Sequence, residues 1–215
     1  NMKKTFLLIL LFTIFGYSQT SEDFLSDGIL KLELDNPKGA LNAFNKAIEL
    51  NPSYADAYFE RGRVKEILED YQGAIVDFTK SIEFKFKFLS IAHFKRGLSK
   101  ILLNDYRGSL ADNNKAIELD PNYDGAYVNR GIAKANLKDF RGAIADYTKA
   151  IELNPKLADA YYNRGIVRLN LGEKNSACLD FSKAGELGHK NAYEVINEYC
   201  KWLYLVNDIL KCSFN

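Results

Sequence analysis

The sequence predicts an all-α fold: a solenoid of about five helix-turn-helix repeats closed by a C-terminal capping helix. Gly28, Gly62, Gly97, Gly131 and Gly165 recur at intervals of 34, 35, 34 and 34 residues, a spacing that marks a repeated pair of helices. Small residues stand twelve positions after each glycine (Ala40, Ala74, Ser109, Ala143, Ala177) and seven further on (Ala47, Ser81, Ala116, Ala150, Ala184). Small side chains at matched heights let two helices approach closely. A seventeen-residue phrase, "DFRGAIADYTKAIELNP" at 139–155, also recurs with variations at 36–52, 70–86 and 105–121.

Residues 1–18 have a logic of their own. Lys3 and Lys4 precede an apolar run from Phe6 to Phe15, followed by Gly16-Tyr17-Ser18, the pattern of a secretory signal peptide with cleavage after Ser18. The run is about half the ~20 apolar residues needed to cross a bilayer. The expectation is therefore an exported chain, periplasmic or secreted, with no stable membrane insertion once the signal is removed.

Five repeats follow, about 21–54, 55–89, 90–123, 124–157 and 158–191 within 19–191, and 192–215 supplies the capping helix and tail. In 139–155 the residues Ala143, Ile144, Tyr147, Ala150 and Ile151 form one stripe at the helical period, and the partner helix covers about Ala126 to Leu137. Asp70, Asp105 and Asp139 stand where a side-chain oxygen can satisfy the first free N–H groups of each second helix. Pro52, Pro121 and Pro155 end those helices, because proline disfavours helix in the residue before it. No such unit can bury its stripe alone, so stacking is obligatory.

These residues resemble the tetratricopeptide repeat family, whose pattern has glycine at position 8, small residues at 20 and 27, an aromatic at 24 and proline at 32. Gly131, Ala143, Tyr147, Ala150 and Pro155 match all five. The resemblance implies a right-handed α-solenoid. It departs locally at Pro37, which replaces an aromatic, at Asn113 in the aromatic column of the third repeat, and at His189, which replaces the proline of the fifth.

Two charged columns change together. Arg61, Arg96, Arg130 and Arg164 precede their glycines, and Asp77, Asp112, Asp146 and Asp180 lie sixteen residues later, whereas the first repeat has Asp27 and Ala43. Each Arg and its Asp lie about eight residues from the turn between their helices, so they should meet as structural pairs. An arginine groove for anionic ligands is the weaker reading, since each cation has its counterion built in. The stretch "EFKFKFLS" at 83–90 holds the one interval of 35 and alternates Phe84, Phe86 and Phe88 with lysines, locally a strand pattern. Helical repeats on both sides outvote it, and a distorted helix end with a longer linker is expected, its phenylalanines filling the gap between repeats.

The segment 177–202 resembles a frequent ending of exported bacterial members of this family, in which a glycine turn leads to a capping helix that closes in Tyr-Cys. With Gly188 as the turn, Cys178 and Cys200 lie at heights differing by ~3 Å on antiparallel helices. A disulfide fits an oxidising compartment, and two buried thiols fit equally. Cys212 is too far along to pair with either, and Trp202, Leu203, Val206, Ile209 and Leu210 form a further apolar stripe that folds back or offers a contact surface.

Charge and chemistry exclude other classes. With 29 Lys and Arg against 28 Asp and Glu, no basic field gathers nucleic acid. Only two histidines occur, on different repeats and without metal-site spacing, no phosphate loop or nucleophile elbow is present, and neither an enzymatic activity nor a cofactor is expected. The resemblance implies binding of a protein partner's peptide or helix in a concave groove lined by first helices. Its positions carry over to Phe59, Arg63 and Glu66 in the second repeat, Phe94 and Leu98 in the third, Val128, Asn129, Ile132 and Asn136 in the fourth, and Tyr162, Asn163, Ile166 and Asn170 in the fifth. Phe59, Phe94, Ile132 and Ile166 replace the Lys and Asn that hold a C-terminal carboxylate elsewhere in the family. The sequence thus reads as a monomeric interaction scaffold, with a structural subunit of a bacterial envelope or secretion complex as the alternative.

Overall fold

A computed structural model describes residues 19–200. The signal-peptide segment with its cleavage point, and the tail with Trp202 and Cys212, lie outside the described residues. Among the described residues eleven helices follow one another: α1 Ser21–Glu33, α2 Pro37–Leu50, α3 Ala55–Ile67, α4 Tyr71–Glu83, α5 Leu89–Leu102, α6 Tyr106–Leu119, α7 Asp124–Asn136, α8 Phe140–Leu153, α9 Ala158–Asn170, α10 Lys174–Glu186 and α11 Ala192–Tyr199. They form five helix pairs and a cap, grouped in two compact units, α1–α4 and α5–α11.

Four of the five second helices start the same way, α10 alone having no side-chain cap. Asn36, Asp70, Asp105 and Asp139 accept a hydrogen bond from the N–H of Gly39, Gly73, Gly108 and Gly142, each at 2.9 Å, satisfying a donor that has no partner within the helix. Each first helix ends on a residue in the left-handed region, Asp35, Glu69, Asn104, Lys138 or Gly172. The N–H of Asp70, for example, reaches back to the carbonyl of Lys65 at 2.8 Å, which closes the helix in a Schellman turn.

Inside each pair the glycine column explains itself by contact. A Cβ on Gly131 would lie 2.7 Å from Tyr147 Cε1, and one on Gly165 2.7 Å from Phe181 Cε1. The second helix can approach this closely only because nothing projects from the first. In the third pair the facing residue is Asn113, which is fully buried, bonds its own helix at the Ser109 carbonyl (2.9 Å), and leaves its Oδ1 without a donor.

Between pairs within a unit, the next first helix completes the core. Val64 packs on Ala40 and Phe44 in the first unit, and Val167 on Ala143 and Tyr147 in the second. At the end of the second unit Ile196 of α11 covers Ala177 and Phe181, and a disulfide joins Cys178 to Cys200 with the Cα atoms 5.8 Å apart. The cap does for the fifth pair what a following first helix does for the first and fourth.

The stretch 83–90 holds no strand. α4 stops at Glu83, Lys85 takes φ 60°, and Phe86 N–H bonds the Ser81 carbonyl at 2.8 Å. The expected distortion is replaced by the same left-handed closure used after the first helices, and that closure consumes the extra residue. Phe86 is buried and stacked on Phe59, centroids 4.2 Å apart, and Phe84 lies 5.6 Å from Tyr58. Phe88 is half exposed.

Candidate interaction surface

The helix pairs are fixed electrostatically before any binding surface is considered. Arg61 donates from Nε and Nη2 to Asp77 at 2.8 and 2.7 Å, Arg130 to Asp146 at 2.9 and 2.6 Å, and Arg164 to Asp180 at 3.0 and 2.7 Å. A second cation, four residues after each arginine and so on the same helical face, holds the same carboxylate. Lys65, Lys134 and Arg168 reach Asp77, Asp146 and Asp180 at 2.8, 2.8 and 2.7 Å. The sequence reading missed these, although the spacing alone would have singled them out.

The arginines also bridge repeats. Nη1 of Arg61 bonds Asn45 at 2.8 Å, that of Arg130 bonds Asn114 at 2.9 Å, and that of Arg164 bonds Thr148 at 3.0 Å. Their guanidinium groups lie 5.3 to 5.6 Å from the ring centroids of Tyr58, Tyr127 and Tyr161. All three nitrogens of each of these guanidinium groups bond within the fold, which commits the arginines to their own repeats.

In the third pair His93 takes the tyrosine's place and donates to Asp112 at 3.0 Å, beside Arg96 at 2.6 Å and Lys100 at 2.7 Å. Burial alone would raise the Asp112 carboxyl, but the bonds from His93, Arg96 and Lys100 outweigh it and hold the group well below the usual carboxylate range. The first pair is rebuilt differently. Asp27 pairs with Lys31 at 2.6 Å along one helix, and Ala43 is simply packed.

The residues assigned to a groove divide into three groups. Phe59 is buried between Phe78 and Phe86, and Tyr162 stacks on His189 at 3.9 Å with Phe181 at 5.6 Å. Phe59 belongs to the core and Tyr162 is partly buried against it, with aromatic rings at 86 and 189 closing over them. Phe94 leans on Tyr123 at 4.7 Å, while Val128 and Ile132 pack against the core of Ala143, Tyr147 and Val167. Leu98 and Asn163 are half-buried, and Arg63 is exposed and paired with Glu60 at 2.7 Å.

The asparagines among these positions differ in their surroundings. Asn136 spends its amide on the Ile132 carbonyl at 2.9 Å. Asn129 is 6% exposed, and its Nδ2 has no acceptor. Ile166 and Asn170 open onto a cleft of about 490 Å³ between α9 and α11, completed by Leu169, Val195, Glu198 and Tyr199. The cap side of this cleft could not be read from the sequence, because α11 lies outside the repeat's register.

Comparison with known proteins follows from this geometry. Models described as TPR repeat match residues 33–66 and 135–172, and one described as Tetratricopeptide repeat matches 55–88. The chain carries tetratricopeptide repeats. Among solved structures it is similar to YrrB, a TPR protein with an unusual peptide-binding site (24% identity, TM-score 0.72, 86% of this chain and 96% of that one). It is similar also to MamA (22%, 0.70, 77% and 96%) and to PilW, a type IV pilus biogenesis factor (20%, 0.69, 78% and 77%). At these identities the likeness is one of fold.

Two curated relatives match over short stretches. A UDP-N-acetylglucosamine–peptide N-acetylglucosaminyltransferase of Giardia intestinalis is 44% identical over 55 residues, 26% of this chain, and Tetratricopeptide repeat protein 36 homolog of Nematostella vectensis is 36% identical over 63, 29% of this chain. The matches span 4% and 35% of those proteins' lengths, so the transferase activity does not carry over. Among the described residues no group of three or more His, Cys, Asp or Glu could hold a metal, and no helix is long and apolar enough to cross a membrane.

Proposed function

We propose that this TPR protein is a non-enzymatic scaffold that binds an aliphatic or aromatic side chain of a partner peptide in the cleft between α9 and α11. The cleft carries the reading. Its volume of about 490 Å³ falls in the range of sites that accept side chains and small ligands, and Ile166, Leu169, Val195 and Tyr199 give it apolar walls with Asn170 and Glu198 at hand for a backbone. The unpaired amide of Asn129 offers a further donor to a peptide carbonyl, as a buried donor gains most from an acceptor. One buried anchor and a few net hydrogen bonds, less ordering costs, support an affinity near micromolar.

Phage-displayed peptides selected on the full chain test this. Selected peptides should share an apolar anchor, and Ile166→Arg should abolish their binding while helix content is unchanged. Selection of peptides indifferent to that change would remove the cleft from the reading.

The place of action proposed is the bacterial envelope, as an adaptor or as a subunit of an envelope complex. Two observations favour it: the Cys178–Cys200 disulfide, which persists in oxidising compartments, and the fold shared with a pilus biogenesis factor. Fractionation of cells followed by thiol labelling checks it, with the expected result an oxidised pair outside the cytoplasm.

A further inference from the structure

The first helix presents a face that the first helices of the second, fourth and fifth repeats keep buried. Leu30 is 54% exposed, whereas the residues two positions after the glycine in the second, fourth and fifth repeats, Val64, Ala133 and Val167, are 0 to 3% exposed. Ile29 and Leu34 are exposed beside it, and together with Glu22, Ser26 and Glu33 they form one helical stripe. At the opposite end of the repeats the corresponding opening is covered by α11 and fastened by the disulfide. Among the described residues, only the first repeat keeps an uncovered packing face.

Its charge is also unlike that of the other first helices. Residues 21–35 hold five carboxylates, Glu22, Asp23, Asp27, Glu33 and Asp35, against one lysine, Lys31. Lys31 is taken by Asp27 at 2.6 Å, and among the described residues the other four carboxylates have no ion-pair partner. The helix α5, by contrast, has three cations and no acid over 89–102. The arginine column becomes acid at Asp27, and the column that is buried alanine at Ala57, Ala126 and Ala160 becomes Asp23.

We infer that this face of α1 docks a helix of a partner protein whose apolar stripe is flanked by Lys or Arg. An aliphatic stripe between unpaired acids fits a basic amphipathic helix in both area and charge. A second copy of the same face is the poorer occupant, since two such helices would bring acids against acids. The partner helix takes the place a preceding second helix occupies elsewhere, with Leu30 as the knob it must receive. This surface shares no residue with the cleft at α9, so the inference stands or falls independently of the function proposed above.

The probe is a fluorescent synthetic helix of leucine, alanine and lysine, about four turns long, with a counterpart in which glutamate replaces lysine. Titrated by anisotropy against the full chain, the lysine peptide should bind and weaken with added salt, the glutamate peptide should not bind, and amide exchange should slow over Ser21–Glu33. Leu30→Lys should weaken binding about tenfold or more, whereas Val76→Lys, an equal charge change at an exposed position of α4, should leave it unchanged. Equal loss with both variants, or equal binding of both peptides, overturns the inference. So does failure of the lysine peptide to bind the full chain, the result expected if residues 1–18 hold the face, and so does a dimer that Leu30→Lys dissolves.

Discussion

Arg130 and Asp146 meet in a two-pronged pair, Nε to Oδ2 at 2.9 Å and Nη2 to Oδ1 at 2.6 Å, across the two helices of one repeat. Lys134 adds a third contact to the same carboxylate at 2.8 Å. Two cations on one buried anion make the group costly to break from the acid side. Asp146→Ala should destabilise the protein by about 3 kcal/mol, because it strands both cations in a largely buried site. Arg130→Met and Lys134→Met together with Asp146→Leu should cost much less, since no member of the cluster is then left unpaired. Urea midpoints of the three proteins measure both effects.

Asp112 gives the third repeat a dependence on acid. Its folded-state carboxyl titrates below the ordinary value of about 3.9, held there by His93, Arg96 and Lys100 against the opposing effect of burial. A depressed group contributes stability that is present above the unfolded pKa and is lost as pH falls through the folded one. Wild-type stability should therefore fall as pH is lowered from about 4, and Asp112→Asn, weaker at neutral pH, should show a shallower decline over the same window. Urea unfolding at a series of pH values decides this, and parallel curves would contradict it.

The fold was legible because its determinants are periodic. Glycine, small residue and proline each recur at one offset, and each has a single steric purpose that Gly131 against Tyr147 makes plain. The arginine and aspartate columns were legible for the same reason. What lay hidden is aperiodic. Phe59 and Tyr162 share a column with Phe94 and Val128, but the rings that close over them, Phe86 and His189, sit outside the pattern. The wall of the cleft given by Val195 and Tyr199 depends on how one short helix seats, and no repeat fixes its register.

The close approach at the glycines can be tested directly. Gly131→Ala would place a methyl group 2.7 Å from the buried ring of Tyr147. Tyr147 is enclosed and cannot swing aside, so overpacking of about 1–3 kcal/mol is expected. Helix propensity alone favours alanine by about 1 kcal/mol, so a stabilised variant would mean that the helices separate freely. A thermal melt distinguishes the two signs.

The disulfide fastens the cap. Cys178 and Cys200 are 22 residues apart, and opening a loop of this size should cost about 3 kcal/mol on a chain-entropy account. Cys178→Ala with Cys200→Ala should therefore speed amide exchange across Ala192–Tyr199 first, while α5 to α8 stay protected. Uniform acceleration over all helices would show instead that the cap and the repeats unfold as one.

Asn113 marks the weakest core. Four repeats place Phe44, Phe78, Tyr147 or Phe181 at this position, fully enclosed, and the third places an amide whose oxygen has no donor. An unsatisfied buried carbonyl costs about 1–3 kcal/mol, and the smaller side chain buries less apolar surface than a ring. Asn113→Phe removes the first penalty and adds the second contribution, so it should raise the urea midpoint even though Ser109 Oγ loses a contact at 3.1 Å. Asn113→Ala separates the terms: it removes the unpaired oxygen but leaves a void, and its stability should fall below that of Asn113→Phe by roughly the 3–5 kcal/mol that an aromatic core residue contributes. If the phenylalanine variant is instead the less stable of the two, α5 and α6 are held at a spacing that the asparagine sets, and the third repeat is packed on a different principle from its neighbours.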